Sequence, residues 1–243
     1  MHHEDYPLNR LAIADPDLAA EVEAILDTAA TPVHEKDLVL LVNDALWALS
    51  QEIAFGRAVG LGYARLMNVQ NRGIKTFQRI VRKDGRNGPT IGKLMATHLV
   101  PVLMSGDEDL LHGFMSASRV MRRKGTYTLK GPLEGLSRLL KTGDVAGGRV
   151  YLELLCHAYD RELSYQQSLQ MTYTLPKAVE DMPPLKRVWQ TSALSRLVQI
   201  DISAAECFIT GLKKGLYLLH EKALERFISM ALERYDRSRE RGC

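Results

Sequence analysis

Apolar residues recur at three- and four-residue intervals along most of the chain, and helix-end residues mark the interruptions. Asp15-Pro16 reads as an N-cap followed by proline at the first helical position, with Ala19, Val22, Ile25 and Leu26 then following at helical spacing. Thr31-Pro32 predicts a second start ahead of Leu38, Leu41, Val42, Ala45 and Leu49. Gly88-Pro89 and Gly131-Pro132 predict two more, and Pro183-Pro184 another that carries Leu185, Val188 and Trp189. A last long helix is expected over residues 215–237, with Leu216, Leu219, Ala223, Phe227, Ala231 and Tyr235 along one face. No segment alternates with period two between turn dipeptides. Asp84-Gly85 and Asn87-Gly88 sit in KDGRNGP, a polar break between two helical patterns. Pro101 lies inside a helical pattern and predicts a kink or an early stop. The chain therefore reads as all-α, about ten helices in a single domain over residues 1–243.

The helical pattern also repeats. LVPVLMSGDEDLLHGFM from Leu99 and LSRLLKTGDVAGGRVYL from Leu136 align without a gap, 37 residues apart, placing Gly106-Asp107 on Gly143-Asp144 and Phe114 on Tyr151. LSRLVQIDISAAECFI from Leu194 fits with one deletion, putting Asp201 on Asp144 and Phe208 on Tyr151. A fainter copy near Met67 has Asn71 in the Asp place and Phe77 in the aromatic one. Each copy reads as a leucine-rich helix, a tight turn, an Asp N-cap and a second helix with an aromatic anchor. Such hairpins cannot bury both faces alone, so they stack.

Over residues 99–155 and 194–212 this pattern resembles HEAT-like repeats, with their leucine-rich first helix, Gly-Asp turn and small-residue second helix. The resemblance implies an α-α superhelix of stacked antiparallel helical hairpins, a HEAT-like α-solenoid. Second helices would line its concave face and hold a segment of a partner protein. In architecture and size the chain is also similar to the HEAT-like DNA glycosylases. That resemblance implies a catalytic Asp near Trp and Arg, and Asp201, Trp189 and Arg187 are the residues of those types here. A fainter resemblance is to the helical regions that accompany von Willebrand A-type domains in metalloenzyme-activation proteins. It extends to helices only, because the metal-ion adhesion pattern Asp-x-Ser-x-Ser does not occur in this sequence.

Composition narrows the class. With 46% apolar and 25% charged residues, the chain is ordinary globular material, neither disordered nor collagen-like. Cys156, Cys207 and Cys243 make no Cys-x-x-Cys pair and no disulfide framework. The amino end, MHHEDYPLNR, is polar and acidic, unlike a secretory leader. The most apolar run, residues 38–49, is interrupted by Asn43 and Asp44 and is too short to span a bilayer. A cytoplasmic protein with no membrane partner is the expectation.

Catalytic chemistry finds little support. His34-Glu35 and His220-Glu221 lack the second histidine four residues on that a zinc-protease helix requires. Asp109 and His112 stand three apart, yet the chain contains no Glu-x-x-His of the di-iron type. Cys156 and His157 are neighbours, and neighbours on a helix point about 100° apart. Neither the glycines of residues 143–148 nor Gly60-x-Gly62 form a phosphate loop, and the carboxylates of GDED at 106–109 suit a helix N-terminus. No catalytic residue, cofactor or metal ligand is expected.

Charge is the most informative feature. Residues 1–71 hold 4 Lys/Arg against 11 Asp/Glu, whereas residues 72–130 hold 12 against 4, although the net charge is only +3. Arg72, Lys75, Arg79, Arg82 and Arg86 are spaced to share one helical face, opposite Ile74, Phe77 and Val81, with no glutamate at i−4 to pair them. Arg119, Arg122, Arg123 and Lys124 form a second cluster, where positive charge also suits a helix C-terminus. The expected function is a non-catalytic scaffold that binds an acidic segment of a partner protein through this basic stripe. Nucleic acid is the alternative ligand.

Overall fold

Asp15 does what its position predicts. Its carboxylate accepts from the Leu18 amide at 3.0 Å and caps a helix that starts on Pro16. In the computed structural model, which describes residues 6–30, 32–125 and 128–160 together with Arg226, Ser229, Met230 and Glu233, every regular element is a helix. The helices are α1 (Pro7–Ala14), α2 (Pro16–Leu26), α3 (Glu35–Leu49), α4 (Ile53–Asn68), α5 (Ile74–Gly85), α6 (Pro89–Met104), α7 (Glu108–Lys124), α8 (Lys130–Lys141) and α9 (Val145–Asp160). The protein is thus all-α among the described residues. Arg226, Ser229, Met230 and Glu233 are helical and exposed, whereas the third hairpin copy, Phe208 and the Pro183-Pro184 start lie outside the described residues.

Several starts and stops differ from the sequence reading. Helix α1 was hidden in the polar amino end, where Pro7 opens a turn that buries Leu8 and Leu11. Thr31-Pro32 does not open α3, which begins at Glu35 with His34 as its N-cap. Pro132 sits in the first turn of α8, where a proline removes no intrahelical donor. Pro101 does not stop α6, which runs on to Met104. Only the last turn follows this proline, and the Ser105 amide still reaches the Pro101 carbonyl at 3.2 Å.

The chain divides into two units, residues 1–106 and 107–243. In the first, α4 packs against α2, α3 and α6, and α5 packs on α6. Its interior is aromatic: the rings of Tyr63 and Phe77 meet edge to face at 4.9 Å, and those of Trp47 and Phe55 at 5.6 Å. Glycine allows this closeness. A Cβ on Gly62 would stand 2.5 Å from the Phe77 ring, and one on Gly85 would stand 2.6 Å from Phe55. Each fully buried Phe, Leu or Val contributes about 1.5–3 kcal/mol, which binds these helices more firmly than their propensities do.

In the second unit, α9 packs against α7 and α8. Phe114 on α7 and Tyr151 on α9 are both fully buried. Gly106 and Gly143 adopt φ of +68° and +76°, and each is followed by a capping aspartate. Asp107 accepts from the Leu110 amide at 2.7 Å, and Asp144 from the Gly147 amide at 2.8 Å. Asn71 works differently: it accepts from the Gly73 amide at 2.6 Å and donates to the Leu103 carbonyl at 2.8 Å, tying the start of α5 to the end of α6.

Candidate interaction surface on the basic helix

Helix α5 has the sequence IKTFQRIVRKDG, and its apolar residues fall on one side. Phe77, Ile80 and Val81 are buried against the unit's interior, which leaves Lys75, Arg79 and Lys83 exposed. Arg72 precedes the helix, and Arg86 follows it at the C-cap position; both are exposed. The stripe therefore runs past both ends of the helix. Its carboxyl-terminal half forms an open depression of about 560 Å³, lined by Gln78, Arg79, Arg82, Lys83, Arg86 and Asn87. Lys83 lies off the spacing that picked out the stripe, yet it belongs to this depression.

Arg82 differs from its neighbours. Asp44, on α3 and only 2% exposed, receives Nε of Arg82 at 2.8 Å and also Nη2. The other oxygen of Asp44 accepts the Tyr63 hydroxyl at 2.5 Å. The guanidinium also lies 4.6 Å from the centre of the Trp47 ring, a cation–π arrangement. Burial, followed by the hydrogen bond to Asp44, pushes the Tyr63 hydroxyl well above its usual pKa, so it stays a donor. Arg82 is therefore a held, half-buried cation and not a free member of the stripe. Its partner stands 38 residues away on another helix, which helical spacing could not reveal. Among the described residues, Arg72, Lys75, Arg79, Lys83 and Arg86 form no ion pair.

The second cluster ends α7 in the other unit. Arg119 and Arg123 are exposed, and Arg122 and Lys124 are half-buried. Nε of Arg122 donates to the Ser118 carbonyl at 3.2 Å within its own helix, as suits a cation in the last turn. A further opening of about 610 Å³ in the first unit is lined by His34, Asp37, Gln70 and Asn71 among others. Gln70 there has φ of +50°.

Among the described residues no group of three His, Cys, Asp or Glu side chains is arranged to hold a metal ion, and no helix is long and apolar enough to cross a membrane. Cys156 on α9 is half-buried, and burial pushes its thiol pKa up, away from nucleophilic use. Asp201, Trp189 and Arg187, the residue types of a glycosylase-like site, lie outside the described residues. Compared with known proteins, the chain matches no family model, no curated protein and no solved structure.

Proposed function

We propose that the chain is a non-catalytic helical interaction module whose first unit docks an acidic segment of a partner protein on the cationic face of α5. The observation that carries this reading is the depression in which Arg79, Lys83 and Arg86 gather without acidic partners among the described residues. Unpaired cations at this density raise the local concentration of an acidic ligand and its association rate. A helix presents cations every three or four residues, about 4.5–6 Å apart along the axis. Alternate side chains of an extended peptide recur at about 6.6 Å, a comparable step. The aromatic surroundings favour peptide over single-stranded nucleic acid. Trp47 already lies under Arg82 and against the edge of Phe55, so its ring is engaged and does not serve as a base-stacking platform.

The test is binding of a fluorescein-labelled decaglutamate peptide, read by anisotropy at low salt. The triple change Arg79→Glu, Lys83→Glu and Arg86→Glu should weaken it by about tenfold or more. Folding should survive, since exposed charge changes cost less than about 0.5 kcal/mol each. Unchanged affinity in the triple variant would overturn the proposal. So would tighter binding of a decathymidylate with a steep salt dependence, which is the signature of phosphate neutralisation.

A further inference from the structure

The three-helix arrangement of the first unit occurs again in the second. Helix α7 packs on α9 as α2 does on α4, and α8 packs on α9 as α3 does on α4. The registers agree at a separation of 92 residues: α4 (Ile53–Asn68) maps onto α9 (Val145–Asp160), and α3 and α8 end in step at Leu49 and Lys141. In each copy the aspartate that caps the first helix binds an arginine 42 residues on, Asp15 with Arg57 and Asp107 with Arg149. In each copy a second aspartate two residues further along, Asp17 or Asp109, reaches the same guanidinium. Burial follows the same register: Gly56, Val59, Gly62 and Met67 of α4 correspond to Gly148, Tyr151, Leu154 and Tyr159 of α9, and all are buried.

This register shows where the first copy departs from the second. Asp44, Trp47 and Tyr63 correspond to Leu136, Leu139 and Leu155, which are buried in their own copy. Leucine thus stands at all three places in the second copy. Desolvating the Asp44 carboxylate offsets much of what its pairing with the half-exposed Arg82 gains, so folding alone does not account for the polar set. Its effect on Arg82 does. Asp44 takes the Nε side of the guanidinium, Tyr63 holds the second Asp44 oxygen, and Trp47 supports the guanidinium plane. Nη1 and one Nη2 proton remain, the end-on fork that matches the two oxygens of a carboxylate. Arg82 lines the same depression as Arg79, Lys83 and Arg86.

We propose that Asp44, Trp47 and Tyr63 are a positioning set that presents Arg82 as the carboxylate-reading residue of the basic face. The surrounding cations draw an acidic side chain in, and Arg82 binds it in a fixed orientation. This inference rests on the acidic-segment reading and adds the residue that distinguishes a carboxylate from diffuse negative charge.

The experiment uses the full chain with Trp189→Phe, so that Trp47 is the only indole. Decaglutamate is titrated while anisotropy and indole emission are followed. In the parent, indole emission should shift saturably with the same midpoint as anisotropy, because the ligand engages the cation that lies over the ring. Arg82→Lys keeps the charge but not the fork; it should weaken binding about tenfold, about 1.4 kcal/mol, and abolish the emission shift. Asp44→Leu with Tyr63→Leu installs the residues of the second copy and leaves Arg82 without its partner; it should stay folded at the assay temperature, checked by thermal melting, and bind as weakly as Arg82→Lys. If both variants bind like the parent while the triple charge reversal abolishes binding, the positioning set falls and the docking face stands. If the triple variant also binds like the parent, both fall.

Discussion

Tyr151 and Ser118 place hydroxyl oxygens inside the second unit with no hydrogen-bond partner among the described residues. Leaving a buried polar group unpaired costs about 1–3 kcal/mol, and burial raises the Tyr151 pKa well above its usual value, so the group is neutral as well as isolated. The ring itself fills the core. Tyr151→Phe should therefore raise the stability of the second unit by about 1 kcal/mol in urea unfolding, whereas Tyr151→Ala should lower it by about 3–5 kcal/mol through the cavity it leaves. A destabilised Phe variant would show that the hydroxyl is satisfied after all. The aromatic anchor was legible in the sequence, since Phe114 and Tyr151 stand 37 residues apart and both are buried. The stranded hydroxyl was not, because satisfaction of a polar atom depends on neighbours from other helices.

Between elements, the matching aspartate–arginine latches matter most. The Arg57 guanidinium beside Asp15 holds its carboxyl below the usual carboxylate range, and Arg149 does the same for Asp107. A folded-state pKa below the unfolded one contributes stability above the unfolded value, about pH 4, and loses it as pH falls through the folded value. Both latches are partly open to solvent, so the Coulomb part of each is screened, and the capping bonds to Leu18 and Leu110 remain. Asp15→Asn combined with Asp107→Asn should flatten the stability profile as the pH falls below about 4, measured by thermal melting at each pH. An acid limb identical to that of the parent would assign acid sensitivity to other carboxylates. At this scale the caps at Asp15 and Asp107 could be read from sequence, because an N-cap is a local pattern. The arginines that reach them could not, because each comes from another helix 42 residues away. The miss at Thr31-Pro32 has a related origin: a proline marks where a helix is able to begin, and packing of Leu38, Leu41 and Val42 decides where it does.

For the molecule as a whole, helical periodicity gave the all-α class, and the charge contrast between residues 1–71 and 72–130 located the basic face. What the sequence obscured is that the face contains two kinds of cation. Arg79, Lys83 and Arg86 are free to attract, whereas Arg82 is fixed by an aspartate, a tyrosine and a tryptophan from two other helices. Docking on α5 requires an acidic peptide to sit against residues 75–87. The most direct measurement is paramagnetic broadening of amide and indole resonances by decaglutamate carrying a nitroxide at one end. Saturable broadening is expected over residues 75–87 and at the Trp47 indole, lost in the Arg79→Glu, Lys83→Glu, Arg86→Glu variant. Broadening centred on residues 119–124, or spread evenly over every exposed cation, would contradict docking on α5.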